Sequence, residues 1–192
     1  PQNNLKNINQ VFADCDLEIE RLISRTFALG ASYLNHEELK FGSIIIDLGF
    51  EKISLGLFKN FALIHSITFP IGINHIKKDI SKVCSLTLQE SENIINHIDF
   101  SFQDNQKIFD KDNYLKKDFF TSTNYRKISQ TLVIDIIKSR LDEIIQFIKK
   151  NILIRESSFI SGARLMLAGG GSNLLNIELY FLNLLGNNIK NA

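Results

Sequence analysis

Cysteine is scarce: Cys15 and Cys84 are the only two in 192 residues, far apart and without the spacing of a metal site. A disulfide scaffold is implausible at this size, so both are read as reduced thiols in a cytosolic setting. Proline is as rare, with two, and glycine numbers ten, which excludes a linker-rich or solenoid chain. No apolar stretch reaches the roughly 18 residues that a membrane span needs. An excess of either charge is missing too. Lys plus Arg number 22 against 21 for Asp plus Glu, a net +1, and that leaves no broad cationic surface for nucleic acid.

The usual catalytic patterns are also absent. His36, His65, His75 and His97 do not cluster with Cys, Asp or Glu at ligand spacing. There is no Gly-x-Ser-x-Gly elbow and no ordering that suits a hydrolase triad. The opening Pro1-Gln2-Asn3-Asn4 lacks Met, a basic segment and a signal-type core, and reads as a cut through a longer chain.

What is present is a globular composition, 44% hydrophobic and 22% charged, enough for one domain with a real core or two small ones. Leu5, Ile8, Val11 and Phe12 predict an amphipathic helix over 4–13, residues 16–23 alternate as a short strand, and 25–34 form a second helix before a polar connector at 35–38. The β-branched run Ser43-Ile44-Ile45-Ile46-Asp47-Leu48 has no polar alternation and suits a strand covered on both faces. Strands over 52–58 and 63–69 complete a meander, with Lys59-Asn60 as a turn. Helices follow over 76–84 and 89–97, the second with Thr87 and Glu90 as a capping box. Residues 101–125 read as loop with one or two short strands. Apolar spacing of three and four from Leu132 to Ile148 predicts a long helix over 129–152, then a strand at 164–167, a glycine turn and a final helix over 172–185.

Two constellations bear on chemistry. Asp47 ends the buried strand two residues before Gly49; a carboxylate there can hold a hydrated divalent cation and a glycine lets phosphate approach the backbone. Taken alone, the pair favours a strand-end Asp that simply tops a turn. Leu167-Ala168-Gly169-Gly170-Gly171-Ser172 joins a strand to a helix, and its N–H groups suit a phosphate or a nucleotide's sugar–phosphate edge. It serves equally as a tight turn with Ser172 as N-cap. It is neither a Rossmann fingerprint nor a P-loop, because no lysine follows at the required offset. Lys77, Lys78 and Lys82 make a small basic helix face, with Arg126, Lys127, Lys138 and Arg140 further on; each group is either a solvated face or a seat for an acidic peptide.

The order of these motifs carries a resemblance. Ile45-Ile46-Asp47-Leu48-Gly49, the meander, Phe69-Pro70-Ile71-Gly72-Ile73-Asn74-His75-Ile76 and then Asp79-Ile80 resemble the second half of an actin-like ATPase. The Asp47 strand end looks like its second phosphate loop and Leu167-Ala168-Gly169-Gly170-Gly171 like its adenosine motif. Within that superfamily the chain resembles FtsA, the bacterial cell-division family that tethers FtsZ to the membrane. The helix from Arg25 to Tyr33, Leu88-Gln89-Glu90-Ser91-Glu92-Asn93-Ile94 and Arg140-Leu141-Asp142-Glu143-Ile144 are similar to that family's helices.

The resemblance implies an α/β fold of actin-like, ribonuclease H-like type: a mixed sheet with flanking helices and a small inserted lid. Residues 1–38 would be the tail of the first domain's insertion with its junction helix, 39–70 plus 126–192 the second-domain core, and 71–125 the lid. It implies ATP or ADP with Mg, Asp47 ordering the metal through water as the catalytic residue, and Gly49, Gly72, Glu92, Gly169, Gly170 and Gly171 holding the nucleotide, with Glu92 on the ribose. It implies Arg126, Lys138 and Arg140 on a rim for the FtsZ C-terminal tail, other division proteins as partners, and self-association into actin-like filaments. The implied location is the inner face of the bacterial cytoplasmic membrane, reached through parts absent here, since the tail 186–192 is no amphipathic helix. The whole protein would be at most a weak ATPase. An alternative within the same fold is the ATP-binding, slowly hydrolysing component of a type IV pilus or cell-shape machine.

The chain departs from the family pattern where phosphate would sit. Phe50 and Glu51 replace glycines, Ser54 replaces a later Asp, Ile95 stands where a ribose-contacting Lys is expected, and Lys77 stands for a Thr. A like charge and bulky side chains in a phosphate loop would each cost ~1–3 kcal/mol of nucleotide binding.

Overall fold

A computed structural model describes residues 2–155, 163–185 and 189–191. Helices α1 (Gln2–Ala13), α2 (Arg25–Tyr33) and α3 (His36–Phe41) lead into the meander β1 (Ser43–Leu48), β2 (Ile53–Lys59) and β3 (Ala62–Phe69). Then come α4 (Ile73–Cys84), α5 (Leu88–His97), α6 (Gln130–Arg155), β4 (Arg164–Ala168), α7 (Ile177–Leu185) and β5 (Ile189–Asn191). The five strands form one sheet in the order β3-β2-β1-β4-β5. β1 pairs antiparallel with β2 and parallel with β4, and β4 pairs parallel with β5.

The central place of β1 follows from its sequence. All six of its residues are buried, and successive side chains on a strand alternate between faces. Ile44, Ile46 and Leu48 join the larger core with Ile76 and Ile80 of α4, Ile94 of α5, Ile137 and Leu141 of α6 and Phe181 of α7. Ile45 joins a smaller core with Leu34, Phe58, Met166 and Ala168, against which Leu29 and Leu39 pack. Asp47 shares the Ile45 face, the one that α2 covers.

The segment 16–23, expected as a strand, is irregular, and Leu17, Leu22 and Ile23 are exposed. It pairs with none of the five strands, and an unpaired strand has no ladder to hold it. The connector at 35–38 is instead the start of α3, where Asn35 accepts from the Glu38 N–H and Glu38 accepts from the Asn35 N–H. The last helix begins later than expected. Gly170–Asn173 is a 3₁₀ turn and Asn176 is left-handed at φ 60°, so the α-helix starts at Ile177. The short β5 was not expected, and the reading of the tail lies outside the described residues apart from 189–191.

Residues 99–125 are ordered without long elements. Single bridges join Phe109 to Leu115 and Tyr114 to Ser129, and Lys117–Phe119 makes one 3₁₀ turn. Glu90, fully buried, ties this segment to α5: it accepts from the N–H groups of Ser122 and Thr123 as well as from its own capping partner Thr87. Burial opposes its charge, but the donors from Ser122, Thr87 and Thr123 outweigh it and hold the carboxyl down at about 2.

Candidate functional site

The parallel pairing of β1 with β4 sets Asp47 opposite Ala168, so the Asp47–Gly49 loop and the Gly169–Gly171 turn leave the sheet side by side. That is where open α/β sheets bind ligands, beyond the carboxyl ends of parallel strands. The two loops touch closely. A Cβ on Gly169, whose φ is +86°, would lie 2.3 Å from Asp47 Oδ1, and one on Gly171 would lie 2.9 Å from Leu48 O. Helix α4 closes the third side: the N–H groups of Ile73 and Asn74 donate to the carbonyls of Gly49 and Phe50. A Cβ on Gly72 would lie 2.3 Å from Phe50 O, and one on Gly49 2.4 Å from Lys52 O. Four of the five glycines named from sequence are therefore needed for close approach of the chain to itself. At Gly170 an added Cβ would meet nothing within 4 Å, and this residue faces open space.

That space is a cavity of about 230 Å³ lined by Gly170, Gly171, Phe50, Asn74, Lys77 and Glu92, with Ile73, Ile95 and Leu174 among its apolar walls. Lys77 Nζ lies 3.3 Å from Glu92 Oε2 and 4.8 Å from the centre of the Phe50 ring. Glu51 accepts from Asn74 Nδ2 at 2.5 Å, with Lys78 Nζ 3.6 Å away.

Asp47 has a partner that sequence reasoning missed. Arg25, at the start of α2, donates from Nε to Oδ2 at 2.5 Å and from Nη2 to Oδ1 at 3.0 Å. The Asp47 side chain is 6% exposed and that of Arg25 68%, so the guanidinium covers the carboxylate from the solvent side. Nothing local announced the pair, because the two are 22 positions apart and meet only once α2 packs on the sheet. Among the described residues no group of three or more His, Cys, Asp or Glu could hold a metal ion.

The three basic residues expected on a partner rim are in separate surroundings. Arg126 donates to the carbonyls of Cys84 and Ser85 at the end of α4 and lies over the Phe120 ring. Burial pushes the neighbouring Cys84 thiol up, with Arg126 pulling the other way. Lys138 lies 5.0 Å from the Phe102 ring, beside a surface cavity shared with Tyr114, Asp112 and Asp135. Arg140 donates to Asp79 Oδ2 at 2.7 Å and to Glu143, bonds that raise its pKa further.

The family profile described as "Cell division protein FtsA" matches residues 44–192, more than three quarters of the chain. The chain belongs to the FtsA family. The cell division protein FtsA of Buchnera aphidicola subsp. Schizaphis graminum is 28% identical over an alignment of 174 residues that covers 88% of this chain and 40% of that protein. The chain spans about two fifths of the length of the curated FtsA relatives it matches. Among solved structures, MreB5 of Spiroplasma citri bound to AMPPNP aligns with a TM-score of 0.71 at 20% identity, over 100% of this chain and 59% of that one. A MamK filament aligns at 0.68 and 13% identity, over 97% of this chain and 58% of that one. The fold is thus the actin-like one expected from sequence, an α/β fold with a mixed sheet and flanking helices. Among the described residues no helix is long and apolar enough to cross a membrane.

Proposed function

We propose that this FtsA-family chain works as a scaffold of cell division, docking the C-terminal tail of FtsZ beneath the cytoplasmic membrane, with membrane attachment and other division partners engaged through further parts of the protein. The observation that carries this reading is the family match over 44–192, and it favours the division role over the pilus or cell-shape alternative. In this reading 39–70 and 126–192 are the second-domain core, 71–125 the lid and 1–38 the junction; the parallel β1–β4 pair and the Glu90 tie between α5 and 122–123 support those boundaries. Self-association in the manner of the MamK filament belongs to the same reading.

Of the three rim cations, Lys138 is the best candidate for an acidic peptide. Arg126 closes the end of α4 and Arg140 is already paired with two carboxylates. Fluorescence anisotropy of a labelled FtsZ tail peptide, titrated with the chain at low and moderate salt, tests this. Saturable binding that weakens with salt and falls severalfold in Lys138→Glu is expected. Absence of binding by the folded chain overturns the reading.

A second reading is favoured by the cavity at Gly170: adenine nucleotide binding, at a site weakened by its phosphate loop. The nucleoside end fits. Gly170 leaves room, Phe50 and the aliphatic walls offer an apolar slot, and Glu92 offers a ribose acceptor. The magnesium end does not fit, since both Asp47 oxygens accept from Arg25, whose guanidinium already supplies the positive charge there. No hydrolytic step is assigned to Asp47 on this arrangement. Nucleotide held here would supply a bridge to the rest of the protein, and the chain's own groups would bind and orient its base and sugar.

A further inference from the structure

Lys77 is the unusual member of the Gly170 cavity, and the role assigned to it rests on the adenine-nucleotide reading of that cavity. We propose that Lys77 is its specificity-determining residue: it binds the phosphate next to the sugar, so that the site distinguishes a nucleotide from a nucleoside but does not distinguish one phosphate from three. The geometry is an asymmetric ion pair. The Lys77 side chain is 12% exposed while that of its partner Glu92 is 54% exposed. An ammonium held out of water requires an anionic partner, whereas a carboxylate at the surface is well solvated without one. An incoming phosphate therefore displaces Glu92 from Nζ at little cost. The Phe50 ring, 4.8 Å from Nζ, adds a cation–π contact to the ammonium.

Displacement does two things at once. Phosphate takes over the pairing of the covered ammonium, and Glu92 is released to accept hydrogen bonds from the sugar hydroxyls a short distance away. Further phosphates gain nothing comparable. The first N–H groups of α4 are already donated to Gly49 and Phe50, Lys78 is paired with Glu51, and the Arg25 guanidinium is spent on Asp47.

The test is titration of the ¹⁵N-labelled chain with adenosine, AMP, ADP and ATP, followed through the amide signals of Gly170 and Gly171. AMP, ADP and ATP are expected to bind within about threefold of one another, and adenosine about tenfold more weakly. Lys77→Met, which keeps the aliphatic stem in place, is expected to bring AMP down to the adenosine level. Glu92→Gln is expected to widen the gap between AMP and adenosine, because Nζ then lacks its resident anion while the amide oxygen still accepts from the sugar. Wild-type binding of AMP that Lys77→Met leaves unchanged overturns the role of Lys77 and spares the nucleotide reading. Affinity rising tenfold or more from AMP to ATP overturns it as well. No shift with any of the four compounds in the folded chain overturns both.

Discussion

At the scale of single residues, Glu90 shows how a buried charge is made to serve folding. It is fully buried, yet its oxygens accept from Thr87, Ser122 and Thr123, and these donors hold its carboxyl at about 2 rather than the usual 4.5. A carboxyl lowered in the folded state contributes stability above its unfolded value, and that contribution is lost as pH falls through the folded one. Glu90→Gln is expected to cost about 1–3 kcal/mol at pH 7, because an amide keeps one acceptor but turns a donor toward other donors. Urea unfolding of both proteins across pH 7 to 3 checks this: the gap narrows below about pH 4.5. A gap constant down to pH 3 would contradict the role of its charge. Asp99 works in the same direction, with burial overcome by Ser101 and Asn176, so wild-type stability declines over the same acidic range.

At the scale of elements, the join between α4 and the β1–β2 loop is decided by one missing methyl. Gly72 has φ −144°, an extended angle open to any residue, so its requirement is steric rather than conformational. Gly72→Ala would put carbon 2.3 Å from Phe50 O and force α4 off the carbonyls it caps. Overpacking of this kind costs about 1–3 kcal/mol, and thermal or urea unfolding measures it. Gly170→Ala, open on all sides, is expected to move stability by less than about 0.5 kcal/mol. The same element level explains what could be read in advance. β1 was legible because three consecutive isoleucines leave no amphipathic alternative, and α6 because its buried positions, from Val133 to Ile152, recur at three and four. α3 was missed for its six residues, too few for a period, although Asn35 and Glu38 spelled its capping box. Arg25 could not be found, since its role exists only where α2 crosses the face of β1 that carries Asp47.

At the scale of the whole molecule, the question is where the folding unit begins. The cores on both faces of the sheet draw on residues from Leu29 onward, Thr26 of α2 is buried beside them, and before Arg25 burial is slight. In α1, Leu5, Ile8, Val11 and Phe12 are exposed by 41% or more, and Leu17, Leu22 and Ile23 by more than half. An amphipathic helix that leaves its apolar stripe in water contributes little to the stability of the body it is attached to. The site, by contrast, reaches back only as far as Arg25, and its glycines, Asp47, Lys77 and Glu92 all lie within the continuous packing of β1, β4, α4 and α5. Removal of residues 1–17 is therefore expected to leave the urea midpoint within the shift of about 0.5 kcal/mol typical of surface changes. Nucleotide-induced shifts at Gly170 should be equally unaffected. A loss of about 2 kcal/mol or more, the size of a core substitution, would mean that α1 packs on the body in solution. In that case the cooperative unit would extend to the start of α1, and the division at Arg25 would fail.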